Sequence, residues 1–317
     1  HLLGLVGSEM SIRDSFVPHI QPDGKQRFDF LGATTLFISL LAFLSALTIG
    51  QNIGFSDYRI LSLLAGWLVF LGVFIWIEKR AVQPMIDLTL FRNALFSINL
   101  VTGFITFIAI AGMFILMPFF LENILNYGTR QVGLLIAAVP ISMGVIAPLS
   151  GSLSDRFGSR IITFIGLCVL LFSYVSLTSL NMQTSTFAFI FLLLPIGVGM
   201  GIFQSPNNSA IMGTAPPDKL GVVSGMLALT RTLGQSTGIA IIGAIWAALT
   251  LNHPESFQVY SATDAPAVAQ VSALQSTFTF IASIILVALG LALWALLKER
   301  QMRVNIQNQE NKPTIAD

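Results

Sequence analysis

Residues 151–160 read Gly-Ser-Leu-Ser-Asp-Arg-Phe-Gly-Ser-Arg, and they lie at the junction of two long apolar runs, Val132 to Leu153 and Ile161 to Leu180. A helix needs about 20 mostly apolar residues to cross the hydrocarbon core of a membrane. Both runs are long enough. The charged decapeptide is therefore predicted to be a short turn that joins two transmembrane helices.

The composition extends this prediction to the whole chain of 317 residues. Apolar residues make up 54% and charged residues only 10%, and the mean hydropathy is +0.80. A soluble domain carries about 25% charged residues, so the sequence predicts an all-α integral membrane protein with about eight transmembrane helices. Six further apolar runs are long enough to span: Phe30 to Gly50, Ile60 to Ile77, Phe96 to Leu121, Phe187 to Gln204, Val222 to Leu249 and Val271 to Leu297.

The basic residues predict the orientation. With eight spans, Arg59 and Arg130 fall on one side and the other 14 of the 16 Lys and Arg residues on the opposite side. Cytoplasmic loops are enriched in Lys and Arg. Both ends of the chain are therefore predicted to be cytoplasmic.

Breaks in composition predict five segments: a cytoplasmic segment 1–29, a two-helix hairpin 30–80, a cytoplasmic linker 81–93, a six-helix bundle 94–300 and a polar cytoplasmic tail 301–317. The tail after Arg303 is expected to be disordered. The first residue is His1 and no signal-peptide pattern precedes the first apolar run, so the chain is expected to be the remainder of a longer protein. The single cysteine, Cys168, excludes an internal disulfide framework.

Residue chemistry gives the decapeptide two possible roles. Gly151 and Gly158 permit a tight turn and close backbone approach, and Asp155 can accept hydrogen bonds from a helix N-terminus. Arg156 and Arg160 can pair with carboxylates or with lipid phosphates. The cluster would then act as a gate or latch that forms when helix ends meet. Alternatively it is a basic anchor with glycines for the turn.

The decapeptide resembles the loop signature of the major facilitator superfamily, G-x-L-x-D-R-x-G-x-[RK], and all six specified positions match. In that family the signature follows the second helix of each six-helix half and acts as the cytoplasmic gate. The resemblance therefore implies a gate motif formed by Gly151, Asp155, Arg156, Gly158 and Arg160.

Further stretches resemble the fourteen-helix drug:proton antiporter branch of this superfamily. They include Leu194-Pro-Ile-Gly-Val-Gly-Met-Gly201 and Arg231-Thr-Leu-Gly-Gln-Ser-Thr-Gly238, which are similar to its late helices. Arg27-Phe-Asp-Phe-Leu-Gly32 resembles the start of the helix pair that this branch inserts between its halves, and Pro84-Met-Ile-Asp-Leu88 resembles the linker that follows. The resemblance implies the inserted hairpin plus the carboxy-terminal six-helix bundle.

This resemblance implies part of a proton-coupled multidrug or metabolite efflux transporter that works by alternating access, in a plasma membrane and most simply a bacterial inner membrane. Its partners would be a small lipophilic or cationic substrate, protons, membrane lipids and the missing amino-terminal six-helix bundle. No cofactor, metal, nucleic acid or enzymatic activity is expected. The alternatives are a major facilitator carrier of another small solute, or a truncated half without transport activity of its own.

Candidate substrate residues lie on two spans. The resemblance makes the third span line a cavity, with Phe104, Phe107, Met113 and Phe114, although aromatic residues in a span also simply face lipid. On the sixth span Phe203, Gln204 and Asn207 are the candidates. This polar group, which includes Asn208, either lines a wet cavity or ends the helix at the interface.

Arg231 is a candidate buried charge, about nine residues into the seventh apolar run. An ionisable group at that depth suggests function, but a long Arg side chain can also reach the interface. Proton coupling needs a titratable group inside the membrane, and no Asp, Glu or His occurs well within a span. This chain alone is therefore not expected to be a competent antiporter, and the spans hold no residue set typical of an intramembrane enzyme.

Glycines spaced four apart recur on the later spans, at Gly197 to Gly201, Gly221 to Gly225 and Gly234 to Gly238. Small residues at this spacing form a smooth stripe along one helix face, which lets neighbouring backbones approach closely in lipid. Close helix packing is the preferred interpretation of all three stripes, and direct substrate contact is the alternative.

Overall fold

The computed structural model describes residues 29–81, 84–256 and 261–310, and these residues form α-helices joined by short loops, with no strand among them. The nine α-helices, numbered here in chain order, are α1 Phe30–Ile53, α2 Tyr58–Glu78, α3 Ala94–Phe119, α4 Thr129–Ile136, α5 Ala138–Phe157, α6 Ser159–Leu177, α7 Thr186–Met212, α8 Leu220–Leu251 and α9 Ala267–Glu310.

In the described part of the chain, eight helical segments are long and apolar enough to cross a membrane, which confirms the predicted all-α membrane fold. The fourth of them, Thr129–Phe157, consists of α4 and α5 in succession. The break between them has a local cause. Pro140 has no backbone N–H to donate to the carbonyl of Ile136, the last residue of α4.

Polar side chains at the loop ends start several helices. Asp29 Oδ1 accepts a hydrogen bond from Gly32 N at 2.8 Å at the start of α1, and Asp57 Oδ1 accepts one from Arg59 N at 2.8 Å at the start of α2. Asn93 begins α3 in the same way. These caps satisfy backbone donors that have no partner inside a helix.

Two predictions about helix ends are wrong. The decapeptide at 151–160 is not a loop: its first seven residues are the last two turns of α5, and only Gly158 forms the turn, with φ of 89°. A positive φ is easily adopted by glycine. The tail after Arg303 was expected to be disordered, but α9 continues as a helix to Glu310. Residues 311–317 of the tail and residues 1–28 of the predicted cytoplasmic segment lie outside the described residues.

The main core lies inside the bundle formed by α3 and α6–α9, with side chains such as Leu167, Tyr174, Phe189 and Phe278 fully buried. Gly166 lets α7 approach α6, since a Cβ added there would lie 2.7 Å from the backbone nitrogen of Phe203. Contacts of this kind bring helices together in lipid, where van der Waals packing drives association.

Two of the three glycine stripes pack as predicted. Gly197–Gly201 on α7 faces the backbone of α5, and Gly234–Gly238 on α8 faces the backbone of α3. The third stripe, Gly221–Gly225, does not: a Cβ at either glycine would meet nothing within 4 Å. The packing interpretation is therefore wrong for that stripe within this chain.

The hairpin of α1 and α2 rests on the bundle through a second apolar cluster near the ends of α3, α7 and α8. Its buried members are Leu36, Phe74, Ile86, Phe96, Leu100, Ile211, Val223 and Met226. The linker takes part, because Ile86 is one of these residues and Asp87 binds the Lys219 ammonium at the start of α8. The hairpin and linker are thus packed against α8.

We expect the Asp87–Lys219 ion pair to make stability depend on pH in the acid range. The hydrogen bond from Lys219, followed by those from Thr89, lowers the pKa of Asp87 from 3.8 to about 2. Because the native state holds the carboxylate ionised, this stabilisation is present above about pH 4 and is lost as the pH falls through about 2. Melting temperatures of wild type and Asp87→Asn should differ at pH 5 and converge near pH 2.

The exposed Asp264→Asn variant is the matched control, and its melting temperature should follow wild type at every pH. An Asp87→Asn difference that persists unchanged at pH 2 would contradict the ion-pair explanation.

Candidate functional site

A group of buried polar side chains lies where α3, α7 and α8 meet. Asn207 on α7 is 3% exposed, and its Nδ2 donates a hydrogen bond to the carbonyl oxygen of Asn99 on α3 at 3.2 Å. Gly103 makes room for this contact, because a Cβ there would lie 3.4 Å from Asn207 Nδ2 and 3.9 Å from the Thr230 methyl group on α8. Three helices therefore converge on one amide.

Four buried side-chain atoms on these three helices have no hydrogen-bond partner among the described residues. They are Asn99 Nδ2, Gln204 Oε1, Asn207 Oδ1 and Thr237 Oγ1. We call these four residues the polar layer. A buried polar atom without a partner costs about 1–3 kcal/mol, so the layer is suited to bind something that supplies both donors and acceptors.

Nearby threonines do not satisfy these atoms, since they bond to their own helix. Thr106 Oγ1 donates to the Thr102 carbonyl at 2.7 Å, and Thr102 Oγ1 donates to the Asn99 carbonyl at 3.1 Å. Their hydroxyl donors are thereby used within α3. The four atoms of the polar layer therefore remain without a hydrogen-bond partner among the described residues.

Arg231 is exposed within the described part of the chain, and its assignment as a charge buried in the membrane stays a prediction. The reason for the exposure is its position on a face of α8 that no described helix covers. Its guanidinium carbon lies 5.4 Å from the ring centroid of Phe107 on α3. At 1.5 Å per residue it lies about 17 Å from the start of α8, and its depth in a membrane stays a prediction.

The predicted cavity residues fall into two classes. Met113 and Phe203 have relative exposures of 0% and 1% inside the main core, so neither faces open space in this arrangement, and their role in a substrate cavity stays a prediction. Their side chains fill space between helices. Of the other predicted residues on the same two helices, Phe107 and Asn207 are also buried, whereas Phe104 and Gln204 are half-buried and Phe114 is exposed.

The residues of the gate motif differ in their surroundings: some are exposed, and others contact neighbouring helices. Asp155 and Arg156 are both exposed on the last turn of α5 and make no ion pair within the described part of the chain. Gly151 approaches α7, where a Cβ would lie 3.4 Å from Ser205 Oγ. The role of these residues as a latch remains a prediction.

Arg160, the last residue of the motif, is bound to α9. Its Nε lies 2.6 Å from Glu299 Oε2, and its Nη1 donates to the Ala295 carbonyl at 3.2 Å. A cavity of about 460 Å³ adjoins this pair between the ends of α5, α6, α7 and α9. Arg160 thus holds α6 to α9 inside one bundle.

Sequence reasoning missed three residues of these sites: Asn99, Thr237 and Glu299. Asn99 could have been noticed, because it is an amide inside the apolar run Phe96 to Leu121 and membrane helices use such groups across helix contacts. Glu299 lies beyond the last apolar run, and nothing local indicates its partner. No group of three or more His, Cys, Asp or Glu residues in the described chain could hold a metal ion.

Comparison with known proteins supports a transporter family. The chain is 30% identical over 223 residues to the multidrug resistance protein Stp of Mycobacterium tuberculosis, which covers 70% of this chain and 41% of Stp. It is 30% identical over 248 residues to the uncharacterized transporter YebQ of Escherichia coli K12, covering 76% and 52%. It is 31% identical over 176 residues to the riboflavin transporter RibZ of Clostridioides difficile, covering 55% and 39%.

The chain therefore spans about half or less of the length of these curated relatives. Residues 30–239 match the family model described as Major Facilitator Superfamily. This range contains the hairpin, the complete decapeptide and all four residues of the polar layer. Together with the eight membrane-spanning segments, this match confirms the family predicted from the decapeptide: the chain belongs to the major facilitator superfamily.

Proposed function

We propose that this chain is the carboxy-terminal part of a small-molecule exporter and that the polar layer is its share of the substrate path. The observation that carries the proposal is the set of unpartnered donor and acceptor atoms on Asn99, Gln204, Asn207 and Thr237 inside an otherwise apolar bundle. Buried polar residues in a membrane protein usually mark a substrate or ion pathway.

The chemistry of the layer favours a lipophilic substrate with a few hydrogen-bonding groups. Amides and a hydroxyl offer both donors and acceptors, and α3 also carries Phe104 and Phe107, which contact Gly234 of α8. The Arg231 guanidinium over Phe107 disfavours a cation at that position. Of the two substrate types expected from the sequence, lipophilic and cationic, the lipophilic one is therefore proposed.

Alternating access requires two bundles that move about a shared site. The proposed partner is an amino-terminal six-helix bundle, and the proposal is supported by the relatives' greater length. The described residues of the polar layer carry no carboxyl or imidazole. Proton coupling, which we propose as the energy source, would therefore use titratable groups elsewhere in the protein.

The chain is a multi-pass membrane protein, and we propose a bacterial inner membrane with both ends cytoplasmic. The proposal is supported by the distribution of Lys and Arg, with 14 of 16 on one side. In this orientation the exposed Arg156 lies at the headgroup level, where it can bind lipid phosphates, and the motif containing Asp155 lies at the cytoplasmic end of the bundle.

We expect Asn207→Ala to lower export by about tenfold, because loss of one buried hydrogen-bonding group costs about 1–3 kcal/mol. Initial rates of dye or drug export would be measured with the full-length protein in vesicles that carry a proton gradient. Asn208→Ala is the matched control: it is the neighbouring amide on α7, it makes no hydrogen bond in the described structure, and its rate should stay within about twofold of wild type.

Equal export rates for Asn207→Ala and Asn208→Ala would contradict the proposal that the polar layer is part of the substrate path. Absence of any proton-dependent export of lipophilic compounds would favour a carrier of another solute. The same vesicles would detect such a carrier by uptake of labelled sugars, amino acids or flavins. A protein that moves none of these would be a half without transport activity of its own.

A further inference from the structure

Two carboxyl groups meet at one end of the hairpin, away from the polar layer. Asp29 precedes α1 and Glu78 ends α2. Each has one oxygen bound to a backbone N–H: Asp29 Oδ1 accepts from Gly32 N at 2.8 Å, and Glu78 Oε2 accepts from Ile86 N at 3.3 Å. Each carboxyl group therefore has one satisfied oxygen and one left over.

The two remaining oxygens, Asp29 Oδ2 and Glu78 Oε1, are buried and have no hydrogen-bond partner among residues 29–81, 84–256 and 261–310. They converge on one small space, because a Cβ added at Gly32 would lie 2.4 Å from Asp29 Oδ2 and 2.9 Å from Glu78 Oε1. Glu78 is only 4% exposed. Two unpartnered carboxyl oxygens thus face the same small space beside Gly32. That space exists because Gly32 has no side chain.

The described basic residues around the pair do not neutralise it. Lys79 and Arg80 are exposed, and the Arg80 guanidinium lies over the Trp76 ring at 4.4 Å from its centroid. The Lys219 ammonium, at the start of α8, is bound to Asp87 on the linker. Two ionised carboxylates side by side in a buried place repel each other strongly.

A single proton would both give the unpartnered oxygens a hydrogen bond and remove the repulsion between the two carboxylates. A protonated carboxyl group donates one hydrogen bond and an ionised one accepts it, so one proton gives both leftover oxygens a partner and removes the repulsion. A divalent cation fits less well, because Ca²⁺ and Mg²⁺ take six or more oxygen ligands. Here the pair supplies two free oxygens, and the neighbouring backbone groups are N–H donors.

We propose that Asp29 and Glu78 form a proton-binding site, in which one exchangeable proton is shared between their facing oxygens. The bound proton joins the first and last turns of the hairpin. Glu78 also holds the Ile86 N–H, and Asp87 beside it binds Lys219 at the start of α8. Gain or loss of this proton is therefore passed through the linker to α8, outside the polar layer.

Infrared spectroscopy of the full chain in lipid nanodiscs tests the site directly. Wild type at neutral pH should show a protonated-carboxyl C=O band that shifts in D₂O. The band should be lost in Glu78→Gln and also in Asp29→Asn, since the new amide donates to the remaining carboxylate. Both variants keep the oxygen that accepts the backbone N–H, so the helix cap and the Ile86 contact persist.

Glu255→Gln, which removes an exposed carboxyl group in the α8–α9 loop, is the matched control and should leave the band unchanged. Size-exclusion profiles and far-ultraviolet circular dichroism would show that each variant is folded. A band that survives in Asp29→Asn would show Glu78 protonated by itself and would overturn the shared proton. Absence of the band in wild type would do the same, and a carboxylate shift on adding Mg²⁺ would then assign a cation instead.

Discussion

Replacing Gly238 by alanine is expected to destabilise the protein by about 1–3 kcal/mol, the usual cost of overpacking a tight interior. The new Cβ would lie 2.5 Å from the carbonyl oxygen and 2.9 Å from the Cα of Ile108 on α3. Both are backbone atoms, so relief requires α3 and α8 to separate. Their separation would also loosen the polar layer, which lies between the same helices.

Gly225→Ala on the same helix is the matched control. A Cβ there meets nothing within 4 Å, and alanine favours a helix over glycine by about 1 kcal/mol, so this variant should be as stable as wild type or slightly more stable. Thermal unfolding in detergent, followed by size-exclusion, measures both. Equal melting temperatures for the two variants would mean that the α3–α8 contact does not require a glycine at position 238.

Arg160→Glu is expected to destabilise the bundle by about 2 kcal/mol, because hydrogen bonds to charged groups contribute about 1.5–3 kcal/mol. The substitution removes the contact with Glu299 and places two carboxylates together at the α6–α9 junction. It also leaves the Ala295 carbonyl without its donor. High salt should reduce the effect, since the side chains are 19% and 26% exposed.

The exchange of both charges, Arg160→Glu with Glu299→Arg, should recover only part of this loss, because glutamate at 160 has no donor for the Ala295 carbonyl. Arg156→Glu, at an exposed position of the same motif, should change the melting temperature little. Partial recovery in the double variant identifies a direct ion pair. No recovery would show that Arg160 acts through its contact with the Ala295 carbonyl alone.

The spans themselves could be predicted from the sequence because membrane insertion depends on local apolar length. The runs from Phe30, Ile60 and Phe96 each begin within two residues of a helix in the structure. The connections are also local, since a turn such as Gly158 is set by one residue's backbone freedom. Element type was therefore predictable for the described chain, and the family followed from six matching positions.

Helix ends were less predictable. Asp155 and Arg156 were assigned to a loop because they are charged, yet a membrane helix continues past the hydrocarbon core into water without cost to its hydrogen bonds. The same reasoning misplaced the end of α9, which runs on to Glu310. Charged residues therefore indicate where the hydrocarbon core ends, but the helix itself can continue beyond that point.

Side-chain direction was the least predictable property. In a soluble helix, polar residues mark the outside, but lipid and protein core are both apolar, so this contrast is lost. Nothing in the third span distinguishes Met113, which is fully buried, from Phe114, which is 40% exposed. Partners such as Glu299 for Arg160 are 139 residues away along the chain, and only the packing of whole helices brings them together.

The spans of the chain differ in length, and this has a consequence for the bilayer itself. The two spans of the hairpin have 22 and 21 residues, whereas α8 provides 32; at 1.5 Å per residue these are about 32 and 48 Å. A hydrocarbon thickness of about 30 Å fits the hairpin upright, while the longer helices adapt by tilting. Hydrophobic mismatch in a thicker bilayer therefore strains the shortest spans first, which are α6 of the bundle with 19 residues and then the two helices of the hairpin.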